Sequence, residues 1–192
     1  AILGCEAYLA PGKITEKKEI AGRKNSSHLT LLAETDEGWA NLVKLITRAH
    51  LDGFYHKPRI DKELLAQHSA GLIGLSSCLK GEVAEGLSHQ QERRAVEAAA
   101  AYRDILGAKN FFLEMQYQGI EEQKVVNTGL LPLARELNLP LVATNDVHFG
   151  KANMYEAHDA LLCIADGQFV SQDDRRRLTR EHRFKTASEM QA

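Results

Sequence analysis

The stretch Leu139-Pro140-Leu141-Val142-Ala143-Thr144-Asn145-Asp146-Val147-His148 decides how this sequence is read. A near-continuous apolar run of this length predicts a strand buried in a parallel sheet. It ends in two residue types that bind metals, and α/β barrels place their chemistry at the C-terminal ends of such strands. Residues two apart on a strand share a face, so the Asp146 carboxylate and the His148 imidazole can converge on one point. Together they suit a borderline divalent ion such as Zn, Mn or Fe. The competing reading is a turn in which Asn145 and Asp146 hydrogen-bond the backbone.

Working outward, four more β-type runs alternate with longer helical patterns: residues 1–6, 28–33, 71–76 and 111–116, with 139–148 as the fifth. Trp39, Leu42, Val43, Ile46 and Ala49 form one apolar stripe at helical spacing, with Asp36 as its cap. Asp61 caps a shorter helix reaching Gln67. Ala95, Ala99, Tyr102 and Leu106 form a second stripe that stops at Gly107. Val126, Leu130, Leu133 and Leu137 form a third, interrupted by Gly129 and Pro132. Residues 157–164 read as a further helix. Strand–helix alternation of this kind predicts an α/β fold with a mostly parallel sheet and right-handed crossovers. The strand count fits most of a barrel better than a complete one. Residues 12–27 (GKITEKKEIAGRKNSS) read as an exposed loop. The charge run 173–183 (DDRRRLTREHR) reads as a solvated connector, or alternatively as a patch contacting phosphates. The expected organisation is one domain over residues 1–170 and a connector over 171–192.

The 192 residues, 44% hydrophobic and 26% charged, suffice for one sizeable core. A net charge of −2 gives no global basic footprint for nucleic acid. No apolar run is long enough to span a membrane, and no signal peptide is visible. Cys5, Cys78 and Cys163 are too few and too scattered for a disulfide framework, which favours a reduced, cytoplasmic setting. The chain opens inside an apparent strand without an initiator Met, and it reads as a fragment.

Other strand ends carry the same chemistry as the fifth. The first offers Glu6, the third Cys78 and the fourth Glu114, while His28 immediately precedes the second. Glu6, Cys78, Asp146 and His148 come together if their strands are parallel neighbours. His28 fits less easily, because a residue before a parallel strand lies at the opposite rim. Each has a plainer reading: Cys78 as buried packing, Glu6 as a turn cap, Glu114 as the partner of a helix Lys or Arg, His28 as a loop residue. Cys5 should point away from Glu6. His158, beside Asp159 on a helix, could reach the site but reads first as a helix–strand contact. His50, His56, His68 and His89 read as surface residues.

Several segments taken together resemble the polymerase and histidinol phosphatase (PHP) domain family, in the form carried by bacterial DNA polymerase III alpha subunits. They are Gly4-Cys5-Glu6-Ala7-Tyr8, His28-Leu29-Thr30-Leu31-Leu32-Ala33, Tyr55-His56-Lys57-Pro58-Arg59-Ile60-Asp61, Gly71 through Glu82, Ala143-Thr144-Asn145-Asp146-Val147-His148, and Ala157 through Ile164. The resemblance implies a distorted (β/α)7 TIM-like barrel whose first strand is missing here, with up to three divalent ions, Zn, Mn or Fe, in the complete domain. It implies Glu6, His28, Cys78, Asp146 and His148 as metal ligands, with Asp146 and His148 central to catalysis, and four further ligands in earlier segments that this chain lacks. It implies metal-dependent 3′→5′ exonuclease or phosphoesterase proofreading within a replicative polymerase whose polymerising carboxylates lie outside this chain. The expected partners are DNA, the remainder of the polymerase chain and other replisome subunits, with no membrane. Lys57, Arg59 and the arginines 175–177 are candidate phosphate contacts. Two alternatives stand beside this: a stand-alone phosphoesterase acting on a small phosphate monoester, and a non-catalytic platform for the polymerase.

Overall fold

Six strands form one sheet in the order β3-β1-β2-β4-β5-β6, in a computed structural model that describes residues 1–18 and 25–191. The elements follow along the chain as β1 (Gly4–Leu9), β2 (Ser27–Ala33), α1 (Asp36–Leu51), β3 (Arg59–Ile60), α2 (Lys62–Gln67), β4 (Leu72–Leu75), α3 (Glu82–Ser88), α4 (Glu92–Leu106), β5 (Phe111–Gln116), α5 (Glu121–Leu137), β6 (Leu141–Thr144), α6 (Tyr155–Asp166) and α7 (Ala187–Gln191). The fold is therefore mixed α/β. β3 and β6 are the sheet's two edges among the described residues.

Strand direction differs from a uniform parallel sheet at one place, and that place matters. β2 is antiparallel to both β1 and β4, whereas β1–β3, β4–β5 and β5–β6 are parallel pairs. The start of β2 therefore lies at the same rim as the ends of the other strands, which removes the objection raised for His28. Directly opposed residues share a face of the sheet. The registers Glu6↔Thr30, Thr30↔Leu75, Leu75↔Phe112 and Gln116↔Thr144 therefore place Glu6, Tyr8, His28, Glu114, Gln116 and Thr144 on one face. Ala7, Leu9, Leu29, Leu31, Leu72, Phe111 and Leu113 occupy the other face and are buried against the helices. Each fully buried Leu or Phe there stabilises the fold by about 1.5–3 kcal/mol.

The helices show where local patterning was overruled. Thr35, not Asp36, caps α1, its hydroxyl accepting from Gly38 N at 3.1 Å. The buried face of α1 is Gly38, Asn41, Leu42, Leu45 and Ala49, while Trp39 and Val43 are exposed. Two contacts set this rotation. A Cβ on Gly38 would lie 1.8 Å from Gly71 O, so only glycine allows the approach, and Asn41 Nδ2 donates to Ala70 O at 3.0 Å. Asp61 caps α2 as expected, accepting from Leu64 N at 2.8 Å and also from Ile14 N at 2.9 Å. That second bond anchors the beginning of the expected loop 12–27, whose residues 19–24 lie outside the described residues. α5 runs through Pro132 without a break, and Gly129 lets it sit against Leu87 of α3, where a Cβ would come within 2.9 Å.

The charge run 173–183 is mostly exposed, but its arginines are tied to the body by ion pairs. Arg175 makes a bidentate pair with Asp159 at 2.6 Å for both contacts, and its side chain is almost wholly buried. Arg176 pairs with Asp166, and Arg180 pairs with Glu156 while lying over the Tyr155 ring. All three acids belong to α6, so this segment and that helix form one electrostatic unit. No helix among the described residues is long and apolar enough to cross a membrane.

Candidate metal centre

Three ligand-type side chains converge at the rim where β1, β2 and the β4–α3 loop meet. Ligand atoms of Glu6, His28 and Cys78 all lie within 4.8 Å of one another. Glu6 sits opposite Thr30 in the antiparallel pair, which puts His28 diagonally across from it on the same face. His28 Nδ1 is 2.7 Å from Glu6 Oε1 and 3.7 Å from Cys78 Sγ. β1 extends to Leu9, so Glu6 lies inside the strand and not at its end. Cys5 points the other way and packs on the core, as its alternate position requires.

Cys78 reaches His28 because the chain turns sharply just before it. Ser77 takes φ +67, a left-handed conformation that non-glycine residues adopt rarely. The Cys78 loop is then tied to β2, since His28 N donates to Lys80 O at 3.0 Å. The Tyr8 ring stacks edge-on to His28 at 5.1 Å, and Lys57 Nζ lies 5.6 Å from the centre of that ring on the exposed side.

The titration behaviour follows from this geometry. The hydrogen bond to His28 holds Glu6 below the usual carboxylate range against its partial burial, with His148 and Lys80 adding to the effect. Burial alone would lower His28, but its bonds to Cys78 and Glu6 outweigh that and raise it to about 9. The donor set, one carboxylate oxygen, one imidazole nitrogen and one sulfur, suits Zn, Mn or Fe and disfavours Mg, which takes oxygen ligands. Bonds of about 2.0–2.3 Å at tetrahedral angles put two ligand atoms roughly 3.5 Å apart, close to the His28–Cys78 separation. The residues fit a divalent ion.

Asp146 and His148 follow β6 on the same rim, but they do not join the three residues above in one convergent group among the described residues. Asp146 has φ +43. His148 Nδ1 is 2.7 Å from Asp146 O. A carbonyl can only accept, so Nδ1 carries the proton and Nε2 keeps its lone pair, which is the arrangement usual for a metal-ligating imidazole. Residues 179–184 hold this loop from outside. His148 N donates to His182 O at 2.8 Å, Phe184 N donates to Phe149 O at 2.9 Å, and Asn145 Nδ2 donates to both Glu181 O at 2.8 Å and Arg183 O at 2.7 Å. The His182 ring is buried 5.5 Å from the His148 ring, and His158 approaches His148 at 5.9 Å and Phe149 at 5.5 Å. His158 therefore touches the loop after β6, and His182 was missed altogether. Its only sequence signal is an isolated imidazole inside a charge run.

Glu114 links the two groups and does not pair with a helix Lys or Arg. One carboxylate oxygen accepts from Ser77 N at 2.8 Å, and the other accepts from the Thr144 hydroxyl and from Gln116 Nε2 at 3.1 Å. Burial raises its pKa, with the nearby Asp146 charge adding to that. Arg59 corrects the sequence reading more sharply. It is 1% exposed, and its guanidinium donates to the carbonyls of Gly53, Asn25 and Glu16 at 3.2–3.3 Å and lies over Tyr55. Its donors serve the backbone and not a phosphate. Lys57 remains exposed beside the centre.

Residues 1–118 match the family described as PHP domain. The chain is 41% identical over 192 residues to DNA polymerase III subunit alpha of Treponema pallidum (strain Nichols), covering 100% of this chain and 16% of that protein. It is 40% identical over 194 residues to the subunit of the same name from Thermus aquaticus, again covering 100% of this chain and 16% of the relative. The Deinococcus radiodurans subunit is 41% identical over 177 residues, 91% of this chain and 13% of that protein. The chain thus spans about a sixth of the length of the curated relatives it matches.

Proposed function

The chain belongs to the PHP domain family, and from that premise we propose that it forms the metal-dependent phosphoesterase part of a replicative DNA polymerase alpha subunit, removing nucleotides 3′→5′ beside the polymerising site. The observation that supports this reading is the convergence of Glu6, His28 and Cys78 at one rim of the sheet, with Asp146 and His148 on the same rim. Relatives that span the whole chain are polymerase subunits, which favours a nucleic-acid substrate over a small phosphate monoester.

In this reading each side chain has a definite task. Glu6 supplies a fixed negative charge. His28 gives up its proton to present a ring nitrogen, and Cys78 presents sulfur from the turn at Ser77. His148, with its proton held on Nδ1 by Asp146 O, offers Nε2, and Asp146 offers its carboxylate. Divalent ions held there, Zn, Mn or Fe and up to three in a complete domain, supply the charge that holds a phosphodiester and stabilises the departing oxygen. Lys57, on the exposed side of Tyr8, contacts the phosphate backbone of DNA. The remaining partners are the rest of the polymerase polypeptide and the other replisome subunits.

The test uses Asp146→Asn and His148→Ala in the full-length polypeptide. Both should abolish metal-dependent removal of nucleotides from a labelled 3′ end and leave primer extension intact. Unchanged exonuclease turnover in both variants rules the proposal out.

A further inference from the structure

Glu114 sits on β5 between β4 and β6, buried on the face of the sheet that carries the centre. We propose that Glu114 is a positioning residue that aims the Cys78 sulfur at His28 and couples that aim to the end of β6. This rests on the reading of Glu6, His28 and Cys78 as metal ligands. Glu114 is not itself one of the converging ligand groups.

The argument starts from cost. A buried carboxyl with only neutral partners is expensive, and a left-handed Ser77 adds strain of about 1–3 kcal/mol. Both persist together because they are bonded to each other. Ser77 N donates to Glu114 Oε2 at 2.8 Å, and Glu114 N donates to Ser76 Oγ at 2.8 Å. The two bonds tie residues 76–77 to Glu114 and fix the turn at Ser77 that presents Cys78. The other carboxylate oxygen takes the Thr144 hydroxyl, one residue before Asn145 and two before Asp146. A single side chain therefore spans the loops that present Cys78 and Asp146.

The test loads the full chain with Co2+ and reads the thiolate-to-cobalt charge-transfer band, which reports ligation by sulfur, together with Co2+ affinity. Cys78→Ser identifies the band. Glu114→Ala should lose the band and lower Co2+ affinity by about 10–100-fold, the usual cost of removing a residue that orients a ligand. Glu114→Gln, which still offers an oxygen to Ser77 N–H, should restore both. Glu114→Asp keeps the charge but is one methylene short, so it should lose the band, and it decides the matter if the alanine variant does not fold. A full-strength band in Glu114→Ala or Glu114→Asp overturns the positioning role alone. A wild-type protein without the band, or a band that survives Cys78→Ser, overturns the ligand reading and the positioning role with it.

Discussion

His28 lies diagonally across the antiparallel β1–β2 pair from Glu6, and its Nδ1 comes within 2.7 Å of the Glu6 carboxylate. That relationship exists only because β2 runs against its neighbours. A parallel β2 would carry His28 to the far rim and leave Glu6 and Cys78 without an imidazole between them.

Removing any one of the three converging ligands should weaken metal binding strongly. His28→Ala and Cys78→Ser are each expected to lower Zn2+ or Mn2+ affinity by at least about tenfold, since even residues that only orient ligands cost that much. Competition with a chromogenic chelator measures it. Wild-type affinity in both variants would remove these residues from the site.

The Glu6–His28 pair gives the metal-free protein a defined pH dependence. His28 is raised from its ordinary 6.5 to about 9 in the folded chain, so its contribution to stability is fully present below about pH 6.5 and is lost as pH rises towards 9. Glu6 is lowered, so its contribution is present above its ordinary 4.5 and is lost as pH falls below that. In the presence of a chelator, Tm should therefore decline between pH 6.5 and 9, and His28→Gln should flatten that decline. An identical slope in the variant contradicts the pairing.

Asn145 should matter to stability and to the loop it anchors. Asn145→Ala leaves the Glu181 and Arg183 carbonyls without their donor. The expected loss is about 1–3 kcal/mol in urea unfolding, together with weaker binding of metal by Asp146 and His148. A variant as stable as the wild type would show that residues 179–184 do not brace this loop.

Lys57 and Arg59 should separate cleanly, although they are two residues apart. Arg59→Lys removes the bonds that this buried guanidinium makes to the Gly53, Asn25 and Glu16 carbonyls and should lower stability by about 1–3 kcal/mol. Lys57→Ala should leave stability unchanged but weaken binding of a single-stranded oligonucleotide and reduce its salt dependence. The opposite pattern would restore Arg59 as the phosphate contact.

These residues show what was legible in the sequence. The apolar runs ending in Glu6 and Cys78 marked two strands, because burial leaves its pattern in composition. The run before Asp146 also marked a strand, but β6 is a four-residue edge strand with no buried residue, and not the buried central strand its composition predicts. The direction of β2 leaves no such pattern, so the place of His28 became clear only from the pairing. β3 is two residues long and too short to show a period. The rotation of α1 was set by the close approach of Gly38 to Gly71, a tertiary contact that outweighed the stripe through Trp39. Arg59 read as a surface cation because its acceptors are backbone carbonyls, which no side-chain pattern reveals. His182 was invisible for a related reason. Its segment is held by main-chain bonds to the loop after β6, and the surrounding arginines are neutralised by the acids of α6.

The most direct measurement is an anomalous difference map from crystals of the full chain grown with Zn2+ or Mn2+, collected at that metal's absorption edge. The account predicts a peak about 2.0–2.3 Å from a Glu6 carboxylate oxygen, a His28 ring nitrogen and Cys78 Sγ. Well-ordered Glu6, His28 and Cys78 side chains with no anomalous peak between them would contradict it.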